Sequence, residues 1–123
     1  MNKENHLDYL ELPAPGSAFA ETKAFYESAF GWKYQLWAEE YADTASSGVS
    51  TGINGDASHH TRAPLPVIYT ADLENARRRC LEAGARLTRD IFSFPGGRRF
   101  HFTDPAGNEL AVWSDQIASS PDQ

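Results

Sequence analysis

From Phe94 to Trp113 the chain reads FPGGRRFHFTDPAGNELAVW, two stretches of alternating apolar and polar residues on either side of a short Asp-Pro-Ala-Gly-Asn segment. Successive side chains of a β-strand point to opposite faces, and Asp, Pro and Gly favour tight turns, so the pattern predicts an antiparallel hairpin. Strands that flank the turn symmetrically place Phe100, Phe102, Leu110 and Val112 on one face and Arg99, His101, Glu109 and Trp113 on the other. The first set is core material. The second, with two basic groups, a carboxylate and an indole, is either a solvated sheet surface or the polar lining of a pocket.

The rest of the chain runs through one order of elements twice, strand, helix, then strands. In the first half His6 to Pro13 alternates, with Leu10 and Leu12 facing away from Tyr9 and Glu11. Ser17 stands at the N-cap of a helix expected from Ala18 to Phe30, where Phe19, Tyr26 and Phe30 recur at helical spacing, Thr22, Phe25 and Ala29 broaden the stripe, and Gly31 ends it. Strands follow at Trp32 to Ala38, Tyr41 to Ser46 and Val49 to Asn54. A polar connection from Gly55 to Ala63 leads to the second half, which opens with a strand from Leu65 to Ala71. Asp72 caps a helix from Leu73 to Ala83 with Leu73, Ala76, Cys80 and Ala83 as its buried stripe, and Gly84 stops it. Ala85 to Phe92 is the next strand, the hairpin follows, and Asp115 to Gln123 reads as a frayed tail. The expected organisation is one domain over residues 1–123, with module one at about 6–55, module two at about 64–114 and the tail at 115–123.

Composition narrows the function. The chain has 123 residues and a formal net charge of −6, which suits one domain with a real core and argues against nucleic acid as a partner, since phosphate binding needs clustered Lys and Arg. No apolar run approaches the roughly 18 residues of a spanning helix, and the opening MNKENHLDYLEL lacks an apolar stretch with a small-residue cleavage site. A cytoplasmic protein without membrane contact is expected. The single cysteine, Cys80, permits no internal disulfide and reads as a structural thiol on a helix stripe.

Three phrases carry a likeness to known proteins: FYESAFGW at the end of the first helix, IYTADL at the opening of the second half, and FPGGRRFHFTDPAGNELAVW. Together they resemble the vicinal oxygen chelate superfamily, whose members include glyoxalase I, bleomycin and fosfomycin resistance proteins and extradiol dioxygenases. The resemblance runs from Tyr9 to Ser114 and is most specific in DPAGNELAVW. It implies an α+β fold of paired βαβββ modules, their strands forming a curled mixed sheet around a cavity with the helices outside, often completed by a homodimer in single-domain members. In metal-dependent members the ligands sit on the first and fourth strands of each module. Those positions fall here on Tyr9, Leu65, Ala111 and the stretch VSTGIN, which has no His or Glu. Such residues are poor or impossible ligands for a divalent cation that wants imidazole nitrogen or carboxylate oxygen, so no metal is expected. A substitute divalent site from Glu11, His101 and Glu109 is the minority reading.

The resemblance also directs Tyr9, Glu11, Val67, Tyr69, Arg99, His101, Glu109 and Trp113 to the cavity. Arg99 can fork a carboxylate or phosphate, or hold the sheet together through Glu109 or Glu11. His101 can act as general acid or base, or donate one hydrogen bond inside a polar cavity. Trp113 and Tyr9 offer flat apolar faces to a planar ligand. His59-His60 belongs to a solvated loop, and Arg77, Arg78 and Arg79 to the exposed side of the second helix near its C-terminus. The reading that results is a small-molecule-binding protein, its ligand anionic or oxygenated, with Tyr9, Glu11, Tyr69, Arg99, His101, Glu109 and Trp113 as binding residues. The alternatives are a lyase or isomerase using His101 or Glu11 as general base, and an interaction protein with a vestigial cavity.

Overall fold

The computed structural model describes residues 2–116, so most of the expected tail lies outside the described residues. The described residues divide into two compact units, Tyr9–Leu65 and, with the N-terminal residues up to Asp8, the described chain from Pro66. Each holds one helix and a four-stranded mixed sheet, and the α+β order of two βαβββ modules is as the alternation and spacing predict.

The first unit contains β1 (Leu7–Pro13, of which Leu7 and Asp8 count with the second unit), α1 (Ala18–Phe30), β2 (Gln35–Ala38), β3 (Tyr41–Thr44) and β4 (Ser50–Asn54). Its sheet runs β2-β3-β4-β1, antiparallel except for the parallel β1 and β4. Paired residues share a face, so the registers Leu12↔Ile53 and Ala42↔Ile53 give one apolar face. Ala42 and Ile53 are fully buried there, packed with Phe19 of α1 and Ala14. Gly31 takes the left-handed conformation (φ 71°) and its N–H donates to Glu27 O, which ends α1 where expected.

Three local expectations give way. Ser17 is itself helical in backbone (φ −66°, ψ −18°) and makes no side-chain cap, because a capping hydroxyl reaches the orphan N–H groups from an extended residue. The apolar stripe of α1 is buried only at Phe19, while Phe25 and Phe30 are 56% and 63% exposed. Their rings are taken up locally, against each other and in an aromatic cluster where Trp32 stacks on Tyr26 at 5.0 Å. That stacking holds Trp32 out of β2, which starts at Gln35.

The second unit contains β5 (Leu65–Tyr69, of which Leu65 counts with the first unit), α2 (Leu73–Glu82), β6 (Arg86–Phe94), β7 (Gly97–Thr103) and β8 (Glu109–Ser114). The strand order is β5-β8-β7-β6, with β5 and β8 parallel. Phe100, Phe102 and Val112 form the core with Leu73 and Ala76 of α2, and Cys80 packs against its edge, where burial pushes the thiol pKa up. Asp72 caps α2 by accepting from Asn75 N–H at 3.1 Å. Ala83 is exposed rather than part of the stripe, since the helix stops at Glu82 and Ala83 is its C-cap. Arg98 of β7 clasps Glu74 in the first turn of α2 at 2.6 and 3.1 Å, fastening helix to sheet. The N-terminal segment is strapped to this unit: Asn5 N–H donates to Tyr69 O, Tyr69 N–H donates to His6 O, and the Glu4 carboxylate accepts from Thr70 Oγ1 and Ala71 N–H.

Among the described residues no helix is long and apolar enough to cross a membrane.

Candidate functional site

With α2 on one side of its sheet, the second unit presents the opposite parity on the other. The register β7 to β8 sets Arg99 opposite Trp113, His101 opposite Ala111 and Thr103 opposite Glu109. β5 adds Val67 beside Ala111 and Tyr69 beside Trp113, so Tyr69, Arg99, His101, Glu109 and Trp113 share the face away from α2, as the hairpin alternation predicts. On the outer side of β7, Phe92 pairs with Arg99 and Phe94 with Gly97.

These side chains form two groups. Around Arg99 the surroundings are aromatic: its guanidinium lies 5.4 Å from the Phe92 ring centroid and 5.7 Å from that of Phe94, within the range of a cation–π contact. Phe94 is 6.5 Å from Trp113, and Trp113 meets Tyr69 edge-on at 5.3 Å. Both polar tips are held, Trp113 Nε1–H by Asp8 at 3.2 Å and Tyr69 O–H by Asp115 at 2.7 Å. The bond to the Asp115 carboxylate is the main cause of a raised Tyr69 pKa. Arg89 stacks on Phe92 at 3.6 Å.

The second group centres on His101, whose side chain is 6% exposed and whose Nδ1 is 3.2 Å from Glu109 Oε2. A carboxylate only accepts, so Nδ1–H donates and the pair orients the imidazole. Thr88 O–H donates to the same carboxylate oxygen at 2.8 Å.

The first unit has a polar face of its own, opposite Phe19. Glu11 is 2% exposed and sits across from Gly52. Tyr41 O–H donates to Glu11 Oε1 at 3.1 Å, and the Tyr41 and Tyr9 hydroxyls are 2.5 Å apart. Gly52 makes this possible: a methyl group there would lie 2.8 Å from Tyr9 Cζ and nearer still to both hydroxyls.

The structure thus places Tyr69, Arg99, His101, Glu109 and Trp113 on one face of the second unit, and Tyr9 and Glu11 on one face of the first. The sequence reading missed Phe92, Phe94, Arg89 and Thr88, although the Phe-Ser-Phe alternation ahead of Pro95-Gly96 was a usable signal for the first two. It also missed Tyr41, which nothing local links to Tyr9. His59 and His60 lie in an exposed loop folded on Asp56, whose carboxylate accepts from Ser58 and His59 N–H groups and is held below the ordinary carboxylate range mainly by the Ser58 bond. Arg77 pairs with Asp90 at 2.5 Å, and Arg78 and Arg79 lie exposed on α2.

The family model described as Glyoxalase/Bleomycin resistance protein/Dioxygenase superfamily matches residues 6–112. The chain belongs to this superfamily. Solved structures agree on the fold. A superfamily member from Vibrio splendidus 12B01 is 16% identical with a TM-score of 0.65, over 86% of this chain and 96% of that one. Methylmalonyl-CoA epimerase from Mycobacterium tuberculosis is 16% identical with a TM-score of 0.61, over 88% and 86%. The Mn(II)-bound glyoxalase from Novosphingobium aromaticivorans is 19% identical with a TM-score of 0.61, over 98% of this chain but 43% of its own length. No curated protein matches.

For a superfamily with metal-dependent members, the donor set decides whether a metal fits. The carried-over positions are Tyr9, engaged with Tyr41, and the fully buried Leu65 and Ala111, which have no donor atoms. Among the described residues, no group of three His, Cys, Asp or Glu side chains is placed to hold a metal ion. These residues do not fit the superfamily's metal, and the Glu11, His101 and Glu109 alternative gains no support.

Proposed function

We propose that the protein binds a small anionic molecule with a planar or apolar portion, without a metal, on the face of the second unit that carries Arg99 and Trp113. The observation that carries this is the setting of Arg99, a guanidinium flanked by Phe92 and Phe94 and directly across from Trp113. A fork that pairs with carboxylate or phosphate beside rings that stack on a planar body suits such a ligand on both counts. Tyr69 supplies a further ring, and His101 and Glu109 an oriented hydrogen-bonding pair.

Benzoate and its neutral counterpart benzamide test the reading. A ligand held by the native state alone stabilises by RT ln(1 + [L]/Kd), about 2.7 kcal/mol at a hundredfold excess over Kd. Benzoate should raise Tm more than benzamide does, and Arg99→Ala should remove the benzoate gain while sparing the benzamide response. Equal responses to both compounds, or a benzoate gain that survives Arg99→Ala, would refute the proposal.

A second reading, a lyase or isomerase, is favoured by the His101 to Glu109 bond, which orients an imidazole as a general base requires. The epimerase among the structural neighbours is a named isomerase, and Glu11 is the other candidate base. His101→Gln separates the readings, because a binder loses little affinity and a general base loses turnover. The protein is further proposed to be a cytoplasmic homodimer, supported by the lone cysteine and by exposed Leu36 and Trp37 on the edge strand β2. Light scattering that gives a monomer mass at micromolar concentration would remove the dimer, and elemental analysis with near one metal per chain would remove the metal-free state.

A further inference from the structure

Arg89 stands where a regular strand would bury it. In β6, Leu87 and Ile91 pack against the core that Leu73 and Ala76 of α2 share, and a period of two would send the residue midway between them to the same side. Two irregularities prevent this. β6 gains one residue on β7 between the pairs Leu87↔Phe102 and Arg89↔His101, and another before Phe92↔Arg99. Bulges of this kind re-aim side chains, and here they set Arg89 on the face of His101 and Arg99. Its guanidinium lies 3.6 Å from the centroid of the Phe92 ring, which also has the Arg99 guanidinium at 5.4 Å and the His101 ring at 5.7 Å. Arg77, Arg78 and Arg98 each meet a carboxylate. Among the described residues no carboxylate pairs with Arg89, which is exposed.

We infer that Arg89 is a second anion-recognition residue on this face, and that the ligand is a dicarboxylate, with one acid group for Arg99 and the other for Arg89. The inference rests on the reading that a small anion binds at Arg99, and it adds the second charge. Two cations held around one ring attract a doubly charged anion more than a singly charged one. A guanidinium has five N–H donors, so Arg99 can take a ligand carboxylate alongside its protein contacts. The stack on Phe92 holds the Arg89 fork in place before a ligand arrives, which lowers the side-chain entropy lost on binding. The two guanidinium carbons are no farther apart than the sum of their distances to the Phe92 centroid, a span that one small dicarboxylic acid covers.

Phthalate, isophthalate and terephthalate carry two carboxylates on one benzene ring at different separations, and the monomethyl ester of each is of similar size with one charge fewer. Binding of these acids, their esters and benzoate to the full-length protein is measured by titration calorimetry at neutral pH. At least one diacid should bind about fivefold or more tightly than its ester, the upper end for an ion pair open to solvent. Arg89→Gln should bring that ratio to about one, since the charge-assisted hydrogen bonds to the second carboxylate are gone. Arg89→Lys keeps the charge but loses the fork and the stack, so the ratio should fall part of the way, and this variant serves if Arg89→Gln does not fold. Arg78→Gln changes the net charge equally from the exposed side of α2 and should keep the full ratio. The inference is overturned if no diacid binds more tightly than its ester in the wild type, if the preference survives intact in the Arg89 variants, or if Arg78→Gln abolishes it as well. Benzoate binding without any diacid preference overturns this inference and leaves the Arg99 reading standing. Failure of benzoate and of every diacid to bind overturns both.

Discussion

Arg98 and Arg99 are neighbours in sequence with opposite assignments, and a double-mutant cycle on Arg98 and Glu74 tests that separation. Arg98 faces α2, and its two terminal nitrogens lie 2.6 and 3.1 Å from the two oxygens of Glu74. The Arg98 side chain is 14% exposed and that of Glu74 38%, and the bond to Glu74 is the main cause of a raised Arg98 pKa. An exposed ion pair contributes about 0–1 kcal/mol, whereas deleting one partner of a buried pair costs about 3–5 kcal/mol. With one partner mostly covered and the other more than a third open to solvent, the geometry lies between these limits. Glu74→Gln should cost about 1–2 kcal/mol, and the cycle with Arg98→Ala should return a coupling energy of about 1–1.5 kcal/mol. The assay is urea unfolding of the wild type, the two single variants and the double variant, at low and high salt, with unchanged m-values as the check on two-state behaviour. The Arg98→Ala protein should keep the benzoate response that Arg99→Ala loses. A coupling energy under about 0.3 kcal/mol, or loss of the benzoate response in Arg98→Ala, would show that the strand parity does not divide the two arginines between packing and binding.

Three further outcomes follow from local geometry. Asp72→Ala removes the cap on Asn75 N–H and should cost about 1 kcal/mol in urea unfolding. Gly97→Ala would drive a methyl group against the Ser114 backbone, whose carbonyl carbon would lie 3.0 Å away, and should lower stability by about 1–3 kcal/mol, read as a fall in Tm. Glu4 has its carboxyl pKa lowered chiefly by the Thr70 hydroxyl and next by Ala71 N–H; a depressed native pKa gives stability that is present above the ordinary carboxylate value and lost as pH falls through the native one. The acid limb of the stability curve should therefore flatten in Glu4→Gln, measured as the urea midpoint from neutral pH downward.

Much of the fold was legible because it is specified locally. Period-two alternation in FHF and ELAVW assigns sides of a sheet without reference to any other segment, and the observed pairings of Arg99 with Trp113 and of Phe100 with Val112 follow from the symmetric turn between them. Helix α1 begins and ends where its spacing and Gly31 place it, since glycine takes a left-handed C-cap without a Cβ penalty. Helical spacing could not say how much of a stripe the sheet beneath would cover. Phe25 and Phe30 have the period of core residues and lie exposed, because the sheet side of α1 is filled at Phe19 and the remaining rings stack among themselves.

The sequence by itself determined the order of elements, the parity of each strand and the kinds of chemistry each face could carry, since these depend on residues a few positions apart. Only the tertiary structure decided which of those residues touch. Tyr41 meets Tyr9 across a separation of 32 residues, Arg98 reaches back to Glu74 on the helix, and Asp8 meets Trp113 across a separation of 105. Each of these contacts depends on strand order and register, which hydrogen bonding between distant segments sets and which no local period encodes.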